Sequence, residues 1–285
     1  MRKILITGGN GFVGRSLSNL LKSKSEDIID IVDIDTTNLC EWDAVAKIPQ
    51  YDVIVHLAGK SFVPDSFKEP LNFYNNNIQS MLNMLEKAKV DGSKVIFFST
   101  YVYGTPQYLP IDENHTKNPL NPYTQSKLIC EELCEAYYRD FGVPVTIFRP
   151  FNIYGSGQNP SFFIPTIINQ LNNEIIQLND SRPRRDFIFI KDVIDAVYLS
   201  IINSENTLRI YNLGSGVSTS VKEIVDLIVK LSKSKAHIQF SERFRQGEIL
   251  DTVADITKIK EELNWEPKVK IEEGIKLCLE IYGDR

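Results

Sequence analysis

The sequence predicts a doubly wound α/β fold, and three observations point to it. Short β-rich apolar runs alternate with helix-period stretches, the pattern of a parallel sheet covered by helices. A glycine-rich turn, Thr7-Gly-Gly-Asn-Gly-Phe-Val-Gly14, follows the first of these runs and opens the first helical stretch. An acidic residue, Asp33, closes the second run about 20 residues later.

In chain order, strands are expected at 3–7, 28–33, 52–57, 94–99 and 144–149, each a short apolar run bounded by turn residues. Between them, 12–23 reads as the helix after the glycine turn, 69–89 as a longer helix, and 122–141 as another that stops at Gly142. After Pro150 the regularity falls. Residues 155–186 are rich in Asn, Pro and Arg, and are followed by a helix near 191–203, a strand and turn at Tyr211-Asn-Leu-Gly-Ser-Gly216, and a helix near 220–232. The division expected is a dinucleotide-binding unit at 1–152 and a smaller substrate-binding lobe at 153–285, some of whose segments return to the first unit. No long linker separates them, so a cleft is expected between them rather than a flexible joint.

The 285 residues make one large domain or two small ones at roughly 150 residues per domain. With 42% hydrophobic and 24% charged residues, the composition is that of a globular protein and not of a disordered, collagenous or coiled-coil chain. A net charge of −5 argues against a nucleic-acid polymer or an anionic membrane as partner, though not against a local basic pocket for a phosphorylated ligand. The apolar runs fall well short of the roughly 20 residues of a membrane span. Only three apolar residues separate Arg2-Lys3 from Thr7, too few for a secretory segment, so a cytoplasmic location is expected. Cys40, Cys130, Cys134 and Cys278, like His56, His115 and His237, lack metal-ligand spacing; reduced thiols and no metal are expected.

Gly8, Gly11 and Gly14 suit a turn that brings the backbone close to a pyrophosphate, with Phe12 and Val13 opening the helix whose positive end faces that charge. Asp33 is placed to accept hydrogen bonds from an adenosine ribose, with Asp35 as the alternative. No Arg or Lys occurs within Ile34-Asp35-Thr36-Thr37-Asn38 to neutralise a 2′-phosphate, which favours NAD over NADP. Asn121 and Pro122 suit the start of a helix that puts Tyr123 and Lys127 on one face. A nearby ammonium and a positive helix end both favour the phenolate of a tyrosine, which otherwise ionises near pH 10. Ser99 ends the fourth strand, at the carboxyl edge where open α/β sheets bind ligands.

Together, TGGNGFVG at 7–14, HLAG at 56–59, STYVYG at 99–104, PYTQSK at 122–127 and RPFNIYG at 149–155 resemble the extended short-chain dehydrogenase/reductase family. These are NAD-dependent epimerases and dehydratases of nucleotide-linked sugars, built on a Rossmann-type sheet. The resemblance continues through RDFIFIKDV at 185–193, YNLGSG at 211–216 and the Arg245-Gln-Gly247-Glu248 run, and so covers nearly the whole chain. It implies Tyr123 as proton acceptor, Lys127 as its activator and a ligand of the nicotinamide ribose, and Ser99 as the hydroxyl that bonds the reacting sugar oxygen. It further implies that Ala58 and Gly59 leave room for the cofactor, that Leu39 touches the adenine, and that Asn152, Arg185 and Arg245 hold the nucleotide diphosphate. A homodimer built on the helices at 69–89 and 122–141 is implied too; their apolar residues Met81, Leu85, Leu128 and Leu133 suit a partner copy or the sheet equally.

Departures from the family pattern narrow the reaction. Dehydratases carry Asp-Glu after the hydroxyl residue, where this chain has Thr100 and Tyr101. Asn77 is followed by Ile-Gln-Ser80-Met81 instead of the family's Gly-Thr, which puts only helix packing in doubt. The leading expectation is a nucleotide-sugar 4-epimerase acting by reversible hydride transfer at the hexose C4. The runner-up is a 4-ketoreductase of a 4-keto-6-deoxy sugar nucleotide. A non-catalytic NAD-sensing regulator is the third, and the intact Ser99, Tyr123 and Lys127 argue against it.

Overall fold

The structure is a computed structural model and describes residues 1–203, 205–241, 243–244 and 248–283. Its main sheet is parallel throughout. Six strands, β1 (Lys3–Thr7), β2 (Ile28–Val32), β3 (Val53–His56), β4 (Lys94–Phe98), β5 (Val145–Pro150) and a later strand at Leu208–Leu213, lie in the order β2-β1-β3-β4-β5 with the later strand beyond β5. The doubly wound α/β expectation therefore holds.

Alternation along the strands explains why helices cover both faces. Ile4, Ile6, Val53, Val55, Ile96 and Phe98 enter one core, whereas Leu5, Ile54, Val95, Phe97, Val145 and Ile147 enter the other. The first core is capped by α1 (Phe12–Lys24) through Leu17 and Leu21. The second is capped by α4 (Pro70–Asp91) through Met81, Met84 and Leu85, and by α5 (Pro122–Phe141) through Cys130 and Cys134. Between β2 and α4 lie the short helices α2 (Trp42–Val45) and α3 (Val63–Lys68).

Met81 and Leu85 are wholly buried in the second core, and Leu128 is nearly so in the first. Of the two placements the sequence left open, these three side chains take the one in the protein's own core. Leu133 also packs in part against the core.

After β5 the chain continues through β6 (Asn152–Tyr154), α6 (Phe163–Ile168), β7 (Ile175–Leu178) and β8 (Arg184–Phe189). It then runs through α7 (Ile190–Ile202) to β9 (Leu208–Leu213), the sixth strand of the main sheet. The remainder is β10 (Ser218–Ser220), α8 (Val221–Ser232), β11 (His237–Phe240), α9 (Thr257–Leu263) and α10 (Ile271–Gly283). The stretch at 155–186 thus holds two strands and a helix where the sequence showed little regularity. Ile164, Phe187, Ile188 and Ile224, all beyond β5, continue the first core.

A buried network locks α5 to the sheet. Arg149 donates from Nε to Glu131 Oε1 at 3.0 Å and from Nη2 to Glu131 Oε2 at 2.6 Å, and from Nη1 to the Tyr103 hydroxyl at 2.9 Å. Tyr103 donates in turn to Asn212 on β9. Among the described residues, no helix is long and apolar enough to cross a membrane, and no group of His, Cys, Asp or Glu is arranged for a metal ion.

Candidate active site

The site opens at the carboxyl ends of β1 and β3, where the strand order reverses and α/β sheets leave a crevice. Gly8 has φ +68°, and a Cβ there would lie 2.7 Å from the Ala58 backbone nitrogen. A Cβ at Gly14 would lie 2.4 Å from the Gly8 carbonyl oxygen. The two glycines therefore let turn, helix and neighbouring strand close to distances no larger residue permits. The Asp33 carboxylate accepts from Asn10 N–H at 2.9 Å and Ile34 N–H at 2.8 Å, one to each oxygen. Acceptor capacity remains on both oxygens.

Gly8, Gly11, Asp33, Leu39, Ala58 and Gly59 line a cavity of about 460 Å³, within the usual range for a ligand pocket. Asp35 does not line it, so the geometry selects Asp33. A second cavity of about 540 Å³ shares Gly8, Gly11, Leu57 and Gly59 with the first, and brings Phe12, Val13, Gly14, Ser99, Tyr123, Lys127 and Asn152 into the same cleft.

Ser99 immediately follows β4, held by its N–H to the Phe148 carbonyl at 2.8 Å. Its side chain is buried, and its Oγ has no hydrogen-bond partner among the described residues. A buried hydroxyl left unpaired in a ligand-sized cleft suits a ligand-binding group. Tyr123 sits in the first turn of α5, whose start is fixed by a reciprocal cap: Thr124 N–H donates to Asn121 Oδ1 at 2.9 Å, and Asn121 N–H to Thr124 Oγ1 at 3.3 Å. One turn on, the Lys127 ammonium donates to the Phe98 carbonyl at 2.8 Å and lies 4.8 Å from the Phe97 ring centroid.

The protein's own groups do not produce the phenolate that the Tyr/Lys spacing suggested. Burial raises the Tyr123 phenol above its ordinary value, and a hydrogen bond from Thr100 lowers it only in part. Burial lowers the Lys127 ammonium, opposed by Cys130, Cys134 and Glu131. His56 is pushed down to about 3, first by burial and then by the Lys127 charge, so it stays neutral and bonds Thr7 Oγ1 through Nδ1 at 2.8 Å.

Asn77, to which the sequence reading gave no role, positions the site. Its Oδ1 accepts from Lys60 N–H at 2.8 Å, and its Nδ2 donates to the Lys60 carbonyl at 3.1 Å and to Ser126 Oγ at 2.9 Å. It thereby clamps the Gly59-Lys60 loop against α5 beside Lys127. A polar residue amid the buried apolar face of α4 was the available signal.

The basic residues are placed differently. Arg185 does not line the cleft: its guanidinium pairs with Glu248 and donates to the Ile249 carbonyl at 2.7 Å. Arg184 donates to the Ser218 carbonyl at 2.7 Å and pairs with Glu223 at 3.2 Å, stitching β8 to β10 and α8. Arg245 lies outside the described residues. Asn152 lines the cleft while its Nδ2 donates to the Asp186 carbonyl at 3.1 Å. Tyr101, at the second acid–base position of a dehydratase, turns its hydroxyl to the Gly104 carbonyl at 2.6 Å.

A model of the NAD dependent epimerase/dehydratase family matches residues 4–214. The chain belongs to this family. A putative UDP-glucose 4-epimerase of Methanocaldococcus jannaschii is 33% identical to it, with 96% of each chain covered. The UDP-glucose 4-epimerase of Thermotoga maritima, solved with UDP-glucose, superposes with a TM-score of 0.91 at 26% identity over 99% of both chains. RMD of Pseudomonas aeruginosa, solved with NADPH, gives the same TM-score and identity over 100% of both. The family is NAD-dependent, and the glycine cradle, Asp33 and the apolar wall at Leu39 fit that cofactor.

Proposed function

We propose that this enzyme interconverts nucleotide-linked hexoses that differ at C4. The observation that carries this is the convergence of Ser99, Tyr123 and Lys127 with the cofactor cradle in one cleft, while the dehydratase acid–base positions hold Thr100 and a Tyr101 turned to backbone. NAD held in the glycine cradle would supply the hydride acceptor and donor for this chemistry. Tyr123 takes the proton of the C4 hydroxyl as base and gives it back as acid, and Ser99 Oγ donates to the same oxygen. Lys127, one turn from Tyr123, would hold the nicotinamide ribose, and a positive charge near the phenol favours its ionised form. Arg185 and Arg245 bind the diphosphate in this reading, and Arg185 does so by sharing or leaving Glu248. The test is turnover of UDP-glucose or UDP-galactose without added reductant. Net oxidation of NADH or NADPH on a 4-keto-6-deoxy sugar nucleotide, with no epimerisation, moves the assignment to a ketoreductase.

Asp33 sets cofactor choice, because a carboxylate accepts from a ribose 2′-hydroxyl and repels a 2′-phosphate. Binding titrations are expected to favour NAD over NADP, and Asp33→Ala to reduce that preference at least tenfold. Tighter NADP binding by the unmodified protein contradicts the assignment.

The enzyme is further proposed to act as a cytoplasmic homodimer. The four cysteines are free thiols, as a reducing compartment requires. On α4, Leu71 is 71% exposed and Tyr74, Ile78 and Leu82 are partly exposed, an apolar stripe left after the core is filled. Sedimentation is expected to give twice the chain mass, and Ile78→Glu to shift it towards monomer; a monomer at all concentrations refutes the dimer.

A further inference from the structure

We infer that Phe62 and Phe162 make the sugar end of the cleft selective for nucleotide hexoses whose C6 group is uncharged, so that uronates are rejected. This rests on the C4 reading above. If C4 lies within hydrogen-bond reach of Tyr123, C6 is two bonds away and lies in the same cavity. Phe62 caps the start of α3 and Phe162 the start of α6, so the rings come from the two sides of the cleft. They meet edge to face with centroids 6.0 Å apart and an interplanar angle of 68°. Behind Phe162, Phe163 stacks on Phe187 at 6.0 Å.

Among the described residues lining this cavity, Lys127 is the sole charged side chain, and its ammonium is committed to the Phe98 carbonyl. Ser61 and Asn159 add neutral groups suited to sugar hydroxyls. A carboxylate placed there gives up its hydration without gaining an opposite charge, and aromatic ring faces carry negative potential. A hydroxymethyl or methyl group instead buries apolar surface against the rings.

The test compares UDP-glucose and UDP-galactose with UDP-glucuronate and UDP-galacturonate, which share one base and diphosphate. The full chain is expected to show kcat/KM for the hexoses above that for the uronates by on the order of 10²-fold or more. Comparable turnover of uronates overturns the inference and leaves the C4 chemistry standing. Absence of C4 epimerisation with all four overturns the C4 reading, and competition binding of UDP-glucose against UDP-glucuronate then reads selectivity separately. Phe62→Arg or Phe162→Arg is expected to shift relative kcat/KM at least tenfold towards the uronate, whereas Phe162→Leu keeps the hexose preference. Arg variants that keep native far-UV dichroism and show no shift remove these two rings from the explanation.

Discussion

Tyr123→Phe is expected to lower kcat by about 10²–10⁴-fold while NAD affinity stays within about twofold, the scale of losing a positioned acid–base group. Only the hydroxyl is lost, and the ring keeps its edge-on contact with Phe73 at 6.4 Å. Lys127→Ala is expected to damage both turnover and NAD binding, because the ammonium lies beside Phe98 and the Gly59 loop as well as one turn from Tyr123. The base acts deprotonated, and burial raises its pKa, so activity is gained as pH rises and lost as pH falls. The positive nicotinamide ring would oppose that rise, so Tyr123 is expected to titrate at lower pH with NAD bound than without it. A Tyr123→Phe variant with most of its activity would refute the assignment.

Glu131→Ala is expected to cost about 3–5 kcal/mol, because it leaves the Arg149 guanidinium buried without its counter-ion. Both partners are essentially inaccessible, at 0% and 2% side-chain exposure, so solvent cannot replace the lost carboxylate. At about 2–4 °C per kcal/mol for a chain near this size, thermal unfolding falls by on the order of 10 °C. Replacing both residues by Leu and Met is expected to recover much of the loss, since paired deletion leaves no orphan charge. A Glu131→Ala protein that melts within 2 °C of the unmodified one, on the scale of about 1 kcal/mol, contradicts this view of the network.

What was legible in the sequence is what local pattern encodes. Alternating apolar strands, the glycines at 8, 11 and 14, and the four-residue spacing of Tyr123 and Lys127 all state their structure within a few residues. The stretch at 155–186 was less legible because α6 has six residues and β8 opens on the charged pair Arg184-Arg185, whose partners lie far along the chain. The helix α10 did carry a signal, with Ile275 and Cys278 buried a helical turn apart. Asn77 and Arg185 show the limit most clearly. Asn77 acts through a loop 17 residues away and a hydroxyl 49 away, and Arg185 is held by a carboxylate 63 residues away. Such roles arise only when the fold brings distant segments together.

The most direct measurement of the central claim is the fate of deuterium placed at C4 of UDP-galactose, followed by NMR and mass spectrometry with unlabelled NADH in the medium. The account predicts UDP-glucose that keeps its deuterium at C4, because one held cofactor removes and returns the same hydride. Product that loses the label to the medium's nucleotide pool, or forms only as NADH is consumed, would contradict it.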